Sequence, residues 1–347
     1  MRILLTFDTG YAPHAATVME SIIQNCPEKL DFVVIYYDLN KETKDVLSKH
    51  FEKKVKSLEF VKLDESVLKN TIKDVKTAPH LSGFNTYLRL FSAQLLPNDK
   101  HIIYLDCDVL VQDNILKILD GADLSKPICA VTDYNPAYKL RDLTMLAPIE
   151  ECSAPWIYEA YWYRAFSDLE LSPTTKCFGA GIMIINLDYW REYKIAEKAL
   201  AFLLEHPEKA FAADQDALNY VVKGNYHELD PRWNAIGLAH IFTNYSVEKL
   251  EQTKNNPAII HVGGDLKPWK YDCAPNHQKL YWKYRQSTPW SKIEYKDKTI
   301  KKVIKKRIVS PIKFVVKSII KPILNQLHLE VSTTKTENVW SKSRIRN

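Results

Sequence analysis

The order of apolar runs and helix-period stretches predicts an α/β protein with a mostly parallel central sheet flanked by helices. Apolar runs bounded by polar turns fall at residues 2–7, 31–37, 58–63, 101–105, 128–132 and 181–187. Stretches with apolar residues at helical spacing, 12–25, 41–52 and 85–97, separate the first four runs. The resulting β-α-β-α-β-α-β order requires crossover helices, and so favours parallel strands covered on both faces. With 347 residues the chain can bury a large core without disulfide staples. Its six cysteines are scattered without a CxxC pair, which argues against a zinc site and against a secreted disulfide framework.

In sheets of this kind ligands bind beyond the carboxyl ends of the strands. Asp8 follows the first apolar run and Asp106 the fourth, so both are expected to face one crevice. From Pro136 to Pro173 the pattern gives way to an aromatic-rich segment centred on "APWIYEAYWYRAF". Helices are then expected at 188–205 and at 214–223, the latter ended by Gly224, followed by a strand in "AIIHVGG" (258–264) and a helix over 276–285.

The stretch "HIIYLDCDVLV" (101–111) places two carboxylates, Asp106 and Asp108, within an otherwise buried apolar run. Carboxylates go inside only when paired or bound to a cation. At a strand end the chain leaves the pleat, so both acids can reach one divalent ion; a strand-end cap or a solvated turn is the alternative. In "IIHVGGDLKPW" (259–269), His261 ends an apolar run, Gly263 and Gly264 allow close backbone approach, and Lys267 offers a point charge to a phosphate. A core histidine is the plain alternative for His261. Two aspartates and an imidazole favour Mn²⁺ by ligand type, with Mg²⁺ as the second choice. No glycine-rich phosphate loop competes: "GAG" (179–181) lacks a third glycine and precedes a strand, and no GxxxxGK[ST] occurs. In "AADQDALNY" (212–220), the ordinary reading of Asp214 is a helix N-cap.

The blocks "TFDTGY", "NTYLRL", "YLDCDVLV", "FGAGIMIINLDYW", "DQDALN" and "HVGGDLKPW", in that order over about residues 1–285, resemble glycosyltransferase family 8. These are retaining transferases of the GT-A fold that include bacterial lipopolysaccharide and lipooligosaccharide galactosyl- and glucosyltransferases. The resemblance implies that Asp106, Asp108 and His261 are Mn²⁺ ligands bridged to the diphosphate of UDP-galactose or UDP-glucose. It implies uridine contacts from Thr6, Asp8 and Tyr11, and donor contacts from Arg89, Cys107 and Asp133. Gly264 and Lys267 would close over the diphosphate, and Asp214 and Gln215 would stand beside the anomeric carbon. Gly10 and Gly179 depart from the family, which often carries Asn there, so a contact to the nucleotide and one to the sugar are expected to be missing. A sugar-nucleotide-binding or lectin-like protein without catalysis is the alternative from a different class.

Residues 292–321 hold eleven Lys or Arg against two acids and residues 322–347 four against two, leaving residues 1–291 at a net charge of −5 in a chain of +6. The basicity belongs to the tail and points to a local anionic partner rather than to nucleic acid. Within it, Ser310 and Pro311 start a helix that Pro322 stops, with Lys313, Lys317 and Lys321 on one face among apolar residues. This is the pattern of an amphipathic helix in anionic headgroups, a solvated helix docked on the main domain being the alternative. The first apolar run is too short for a signal peptide, and no apolar segment of about 18 residues follows. The expectations are a catalytic domain over 1–285, a membrane-associating tail over 286–347, and a cytoplasmic protein peripheral on the inner face of the cytoplasmic membrane with a lipid-linked glycan acceptor.

Overall fold

The computed structural model describes residues 1–64, 66–67, 84–134, 169–171, 175–210, 212–235, 247–263, 267–273, 275–304 and 307. Most of the aromatic segment, Gly264 and the proposed tail helix lie outside them. Strands β1 (Arg2–Thr6), β2 (Asp31–Tyr36), β3 (Ser57–Lys62), β4 (His101–Leu105), β6 (Ile128–Tyr134), β7 (Cys177–Asn186) and β8 (His227–Glu228) form one sheet in the order β3-β2-β1-β4-β7-β6-β8. Only β7 is reversed, pairing antiparallel with β4 and β6, while the remaining neighbours run parallel. The expected mainly parallel sheet is therefore present.

Alternation along the strands divides the core between the two faces of the sheet. Leu4, Ile102, Tyr104, Met183 and Ile185 pack on one side. Ile3, Leu5, Ile103, Leu105, Ile182 and Ile184 pack on the other, against Ala12, Ala15, Ala16 and Met19 of α1 (Ala12–Asn25). Helix α2 (Lys41–Phe51) begins at Asn40, whose side chain accepts from Thr43 N, and buries Leu47 and Phe51. These are the residue types and spacings that the period analysis selects.

Three expected helices differ. Residues Phe84–Phe91 form a 3₁₀ segment that runs into a helical turn at Ser92–Leu95, instead of one helix over 85–97. In 3₁₀ geometry residues three apart eclipse, which sets Thr86 and Arg89 side by side. The helix expected over 188–205 is two, α3 (Leu187–Tyr193) and α4 (Ile195–Glu205), broken at Lys194 with φ 53°. Helix α5 spans Asp214–Val222, and its N-cap is Ala213 rather than Asp214.

A separate two-stranded ribbon determines the site. Strand β5 (Val109–Val111) pairs antiparallel with β9 (Ile259–His261), with Val109 opposite His261. Val262 N donates to Asp108 O at 3.0 Å, extending that ladder to the second aspartate. Helix α6 (Val247–Asn255) precedes β9, and α7 (Pro275–Arg285) packs on α1.

The chain divides into two compact units, Met1–Trp269 with Cys273–Glu294, and Lys270–Asp272 with Tyr295–Asn347. In the second, Tyr271 N donates to Asp297 Oδ1 at 3.0 Å, and Lys302 pairs with Asp297 and lies 3.5 Å from Asp272. Among the described residues no helix is long and apolar enough to cross a membrane.

Candidate active site

The carboxyl ends of β1 and β4 and the reversed β7 meet at one edge of the sheet. There Thr6, Tyr11, Asn85, Thr86, Arg89, Tyr104, Asp106, Cys107, Asp108 and Lys267 line an open cleft. A larger surface groove along α6 is lined by residues such as Asp230, Arg232, Glu248 and Gln252, and it contains none of the sequence-predicted site residues.

Asp106 is held from two sides. Its N–H donates to Gly181 O at 2.8 Å, and its Oδ1 accepts from Tyr104 OH at 2.6 Å and Arg89 Nη2 at 2.9 Å. Asp108 is buried, its Oδ1 3.3 Å from His261 Nε2 and its Oδ2 paired with Lys267. Burial pushes the Asp108 carboxyl up, but the nearby His261 and Lys267 hold it well below the usual carboxylate range. Burial opposes charge on His261 and Lys267 as well, yet Asp108 raises both above their ordinary values.

One ligand atom from each of Asp106, Asp108 and His261 falls within 4.8 Å of the others, a donor set of two carboxylates and an imidazole suited to a hard or borderline divalent cation. Gly181 shows that the space between them is kept clear. A Cβ there would stand 2.5 Å from His261 Cε1 and 2.8 Å from Asp106 Oδ2. The residues therefore fit a metal ion.

Arg89 joins this cluster to α5. Its side chain is 5 % exposed and its Nη1 donates to Ala180 O at 2.5 Å. Its Nε donates to Thr86 O at 3.0 Å and also lies 3.0 Å from Asp214 Oδ2, an ion-pair contact aligned less well than the bond to Thr86. Burial works against the guanidinium charge, while Asp106 and Asp214 raise its pKa above the already high ordinary value. Asp214 Oδ1 accepts from Thr86 Oγ1 at 2.8 Å, so its carboxylate faces the 3₁₀ segment instead of capping its own helix. Burial pushes its carboxyl up to about 6, with Arg89 and Thr86 opposing. Asp216 reaches back past the start of the helix, its Oδ2 accepting from Ala212 N at 2.7 Å.

Gln215 Oε1 accepts from Ala180 N at 3.0 Å and its Nε2 donates to Asp133 Oδ2 at 3.0 Å, which fixes the amide and ties these two expected sugar-site residues together. Ala213, at φ 53° and ψ −124°, adopts a backbone conformation that side chains disfavour. That residue starts α5 at the angle which delivers Asp214 and Gln215 to the site.

On the β1 side, Asp8 Oδ1 accepts from Tyr11 N at 2.9 Å and Oδ2 from Asn85 Nδ2 at 2.6 Å. Thr6 Oγ1 lies 3.3 Å from Tyr104 OH, and Cys107 Sγ contacts Thr6 O at 3.6 Å. Tyr11 sets its edge against Trp269, which stacks on His14 at 3.6 Å.

Sequence reasoning did not single out Asn85, Thr86, Gly181 or Asn234. Asn234 Oδ1 lies 2.9 Å from His261 Nδ1. The glycine pair in "GAG" was a signal for Gly181; nothing local marks Asn234.

This carboxylate and imidazole cluster, at the strand ends of a mainly parallel sheet and beside an open cleft, could hold a divalent cation next to a bound ligand. The chain belongs to glycosyl transferase family 8, which it matches over residues 2–273. General stress protein A of Bacillus subtilis is 27 % identical to it over 304 residues, which cover 84 % of this chain and 96 % of that protein. Glycosyltransferase GlyA of Streptococcus pneumoniae is 26 % identical over 84 % of this chain, a match that spans 35 % of GlyA. Among solved structures, galactosyltransferase LgtC in complex with donor and acceptor sugar analogs superposes with a TM-score of 0.65 at 20 % identity, covering 83 % of this chain and 96 % of that one. The bifunctional glycosyltransferase WbbM superposes with a TM-score of 0.60 at 20 % identity, over 84 % of this chain and 50 % of that one. These two likenesses concern the fold.

Proposed function

We propose that this protein is a retaining hexosyltransferase that moves galactose or glucose from UDP to a membrane-borne glycan, a lipopolysaccharide or lipooligosaccharide precursor. The observation that carries the reading is the convergence of Asp106, Asp108 and His261 with Lys267 at the mouth of one cleft, although 153 residues separate Asp108 from His261. Asp106, Asp108 and His261 would hold Mn²⁺, or Mg²⁺ in its place. Such an ion supplies Lewis-acid stabilisation for the negative charge that develops on a departing diphosphate.

The chain's own groups do the rest. Lys267, paired with Asp108, lies beside the place where a β-phosphate would sit and neutralises charge as UDP leaves. At the sugar the reacting carbon becomes oxocarbenium-like and needs negative or dipolar support. Gln215 is oriented by Ala180 and Asp133, and Asp214 is held by Arg89 and Thr86, so both are fixed before substrate arrives. An amide is a poor nucleophile, which favours attack on the face from which UDP departs. Thr6, Asp8 and Tyr11 would bind uridine, with Cys107 and Gly264 against the nucleotide-sugar.

The test is hydrolysis of UDP-galactose and UDP-glucose with Mn²⁺ and no acceptor, followed by lipid-linked glycan acceptors. Wild-type turnover that Asp106→Ala and Asp108→Ala abolish supports the reading. Full activity in Asp108→Ala, or donor binding without any turnover, overturns it, the latter in favour of a sugar-nucleotide-binding protein. We further propose that residues 286–347 form a basic tail that holds the enzyme on the cytoplasmic face of the membrane. Truncation after about residue 290 is expected to spare hydrolysis and to abolish binding to anionic vesicles; unchanged vesicle binding refutes the tail assignment.

A further inference from the structure

His261 is the one nitrogen donor in the cluster, and an imidazole binds a metal only through a nitrogen that carries no proton. A neutral imidazole keeps one proton, so the ring needs an acceptor at its far nitrogen to present a lone pair in a fixed direction. Asn234 stands at that place, with Oδ1 2.9 Å from His261 Nδ1. On the opposite side of the ring, Nε2 faces Asp108 Oδ1 at 3.3 Å.

Three features hold the Asn234 amide still. It is 3 % exposed. It ends a 3₁₀ turn, Pro231–Asn234, that starts at Asp230, whose Oδ1 accepts from Arg232 N at 3.0 Å. The backbone just after it is tied to β9: Ala235 N donates to Ile259 O at 2.9 Å, and His261 N donates to Ala235 O at 3.1 Å. Space for the amide exists because position 179 is glycine: a Cβ there would stand 3.1 Å from Asn234 Nδ2 and 3.5 Å from Asp133 Cβ. The glycine that departs from the family pattern thus accommodates the residue behind the metal ligand.

We propose that Asn234 is a positioning residue of the cation site: its Oδ1 accepts the Nδ1 proton of His261 and so keeps the Nε2 lone pair turned toward the two carboxylates. This inference rests on the metal reading above. It predicts two opposite effects of substitution. Asn234→Ala removes the acceptor and leaves the ring free to change tautomer and to rotate, which weakens metal binding about 10–100-fold, the usual effect of losing such a partner. Asn234→Asp keeps an acceptor and has no donor, so it retains at least wild-type affinity. If His261 instead carried its proton on Nε2 and accepted at Nδ1 from the Asn234 amide, the carboxylate of Asn234→Asp would repel that lone pair and binding would fall.

The experiment is titration of full-length wild-type, Asn234→Ala and Asn234→Asp proteins with MnCl₂, reading free Mn²⁺ by electron paramagnetic resonance. Weak binding by Asn234→Ala with binding restored in Asn234→Asp supports the proposal. Wild-type affinity in Asn234→Ala, or loss in Asn234→Asp, overturns it while leaving the metal site standing. A wild-type protein that binds no Mn²⁺ overturns the metal reading itself, and the proposal with it. Should Asn234→Ala fail to fold, ¹⁵N spectra of the histidine rings in the Mg²⁺-loaded wild-type protein decide the same point. A proton on Nδ1 of His261 supports the proposal, and a proton on Nε2 overturns it.

Discussion

Replacing Arg89 by methionine keeps the apolar stem of the side chain and removes a buried guanidinium that faces Asp106 at 2.9 Å and Asp214 at 3.0 Å. It also strips Ala180 O of its donor and removes a cation lying 4.2 Å from the centre of the Tyr104 ring. Asp106 retains Tyr104 OH and Asp214 retains Thr86 Oγ1, so the carboxylates are not stranded completely. Breaking one side of a buried ion pair costs about 3–5 kcal/mol, and the arginine here serves two acids. At roughly 2 °C per kcal/mol for a domain of this size, Tm should fall by about 6–10 °C.

The deficit should also depend on pH. Asp214 titrates at about 6 in the folded protein, above its ordinary 3.8, because burial outweighs the lowering effect of Arg89. With Arg89 gone its carboxyl moves further up and takes a proton, which relieves the unpaired charge. The variant should therefore lie nearer to wild type at pH 5 than at pH 8. Urea denaturation followed by circular dichroism at both pH values measures this, and adding Asp214→Asn to Arg89→Met should recover about 1–3 kcal/mol of the loss. A loss under about 1 kcal/mol, or strict additivity of the two substitutions, would refute the view of Arg89 as a buried electrostatic bridge.

Other substitutions probe separate features. Gly181→Ala drives a methyl group into the space between His261 and Asp106, and should cut Mn²⁺ affinity about 10–100-fold in calorimetric titrations while leaving the far-ultraviolet circular dichroism unchanged. Ala213→Gly relieves a residue at φ 53° and ψ −124° and should stabilise the fold by about 1 kcal/mol, read as a higher urea midpoint; an unchanged or lower midpoint would show that the backbone there is not strained. Because the folded state holds the Asp214 proton more tightly than the unfolded chain, this group makes wild-type stability fall as pH rises from about 4 to 6. Asp214→Asn abolishes that contribution, so over this window the variant should gain up to about 3 kcal/mol relative to wild type in parallel urea titrations.

The centre of the sheet was legible in the sequence because β1, β2, β4 and β7 are buried on both faces, and such strands appear as unbroken apolar runs. Asp106 and Asp108 were legible for the converse reason, as charges placed where the pattern demanded apolar residues. The helix break at Lys194 was not, since neither glycine nor proline marks it and the left-handed residue is a lysine. The role of Asp214 was misread as an N-cap because its local setting is that of a helix start, whereas its partners Thr86 and Arg89 lie more than 120 residues away.

What the amino-acid order determined by itself was the alternation that builds a parallel sheet, the strand end at which two carboxylates stand exposed to a crevice, and the segregation of positive charge into the last sixty residues. Tertiary structure alone decided what those carboxylates face. Pairing of β5 with β9 brings His261 and Lys267 to Asp108, the reversed β7 sets Gly181 against Asp106, and the turn before β9 puts Asn234 behind the imidazole. Local propensity depends on neighbours a few residues apart. A cation site assembled from positions 106, 108 and 261 depends on strand register, which is settled only when the whole core packs.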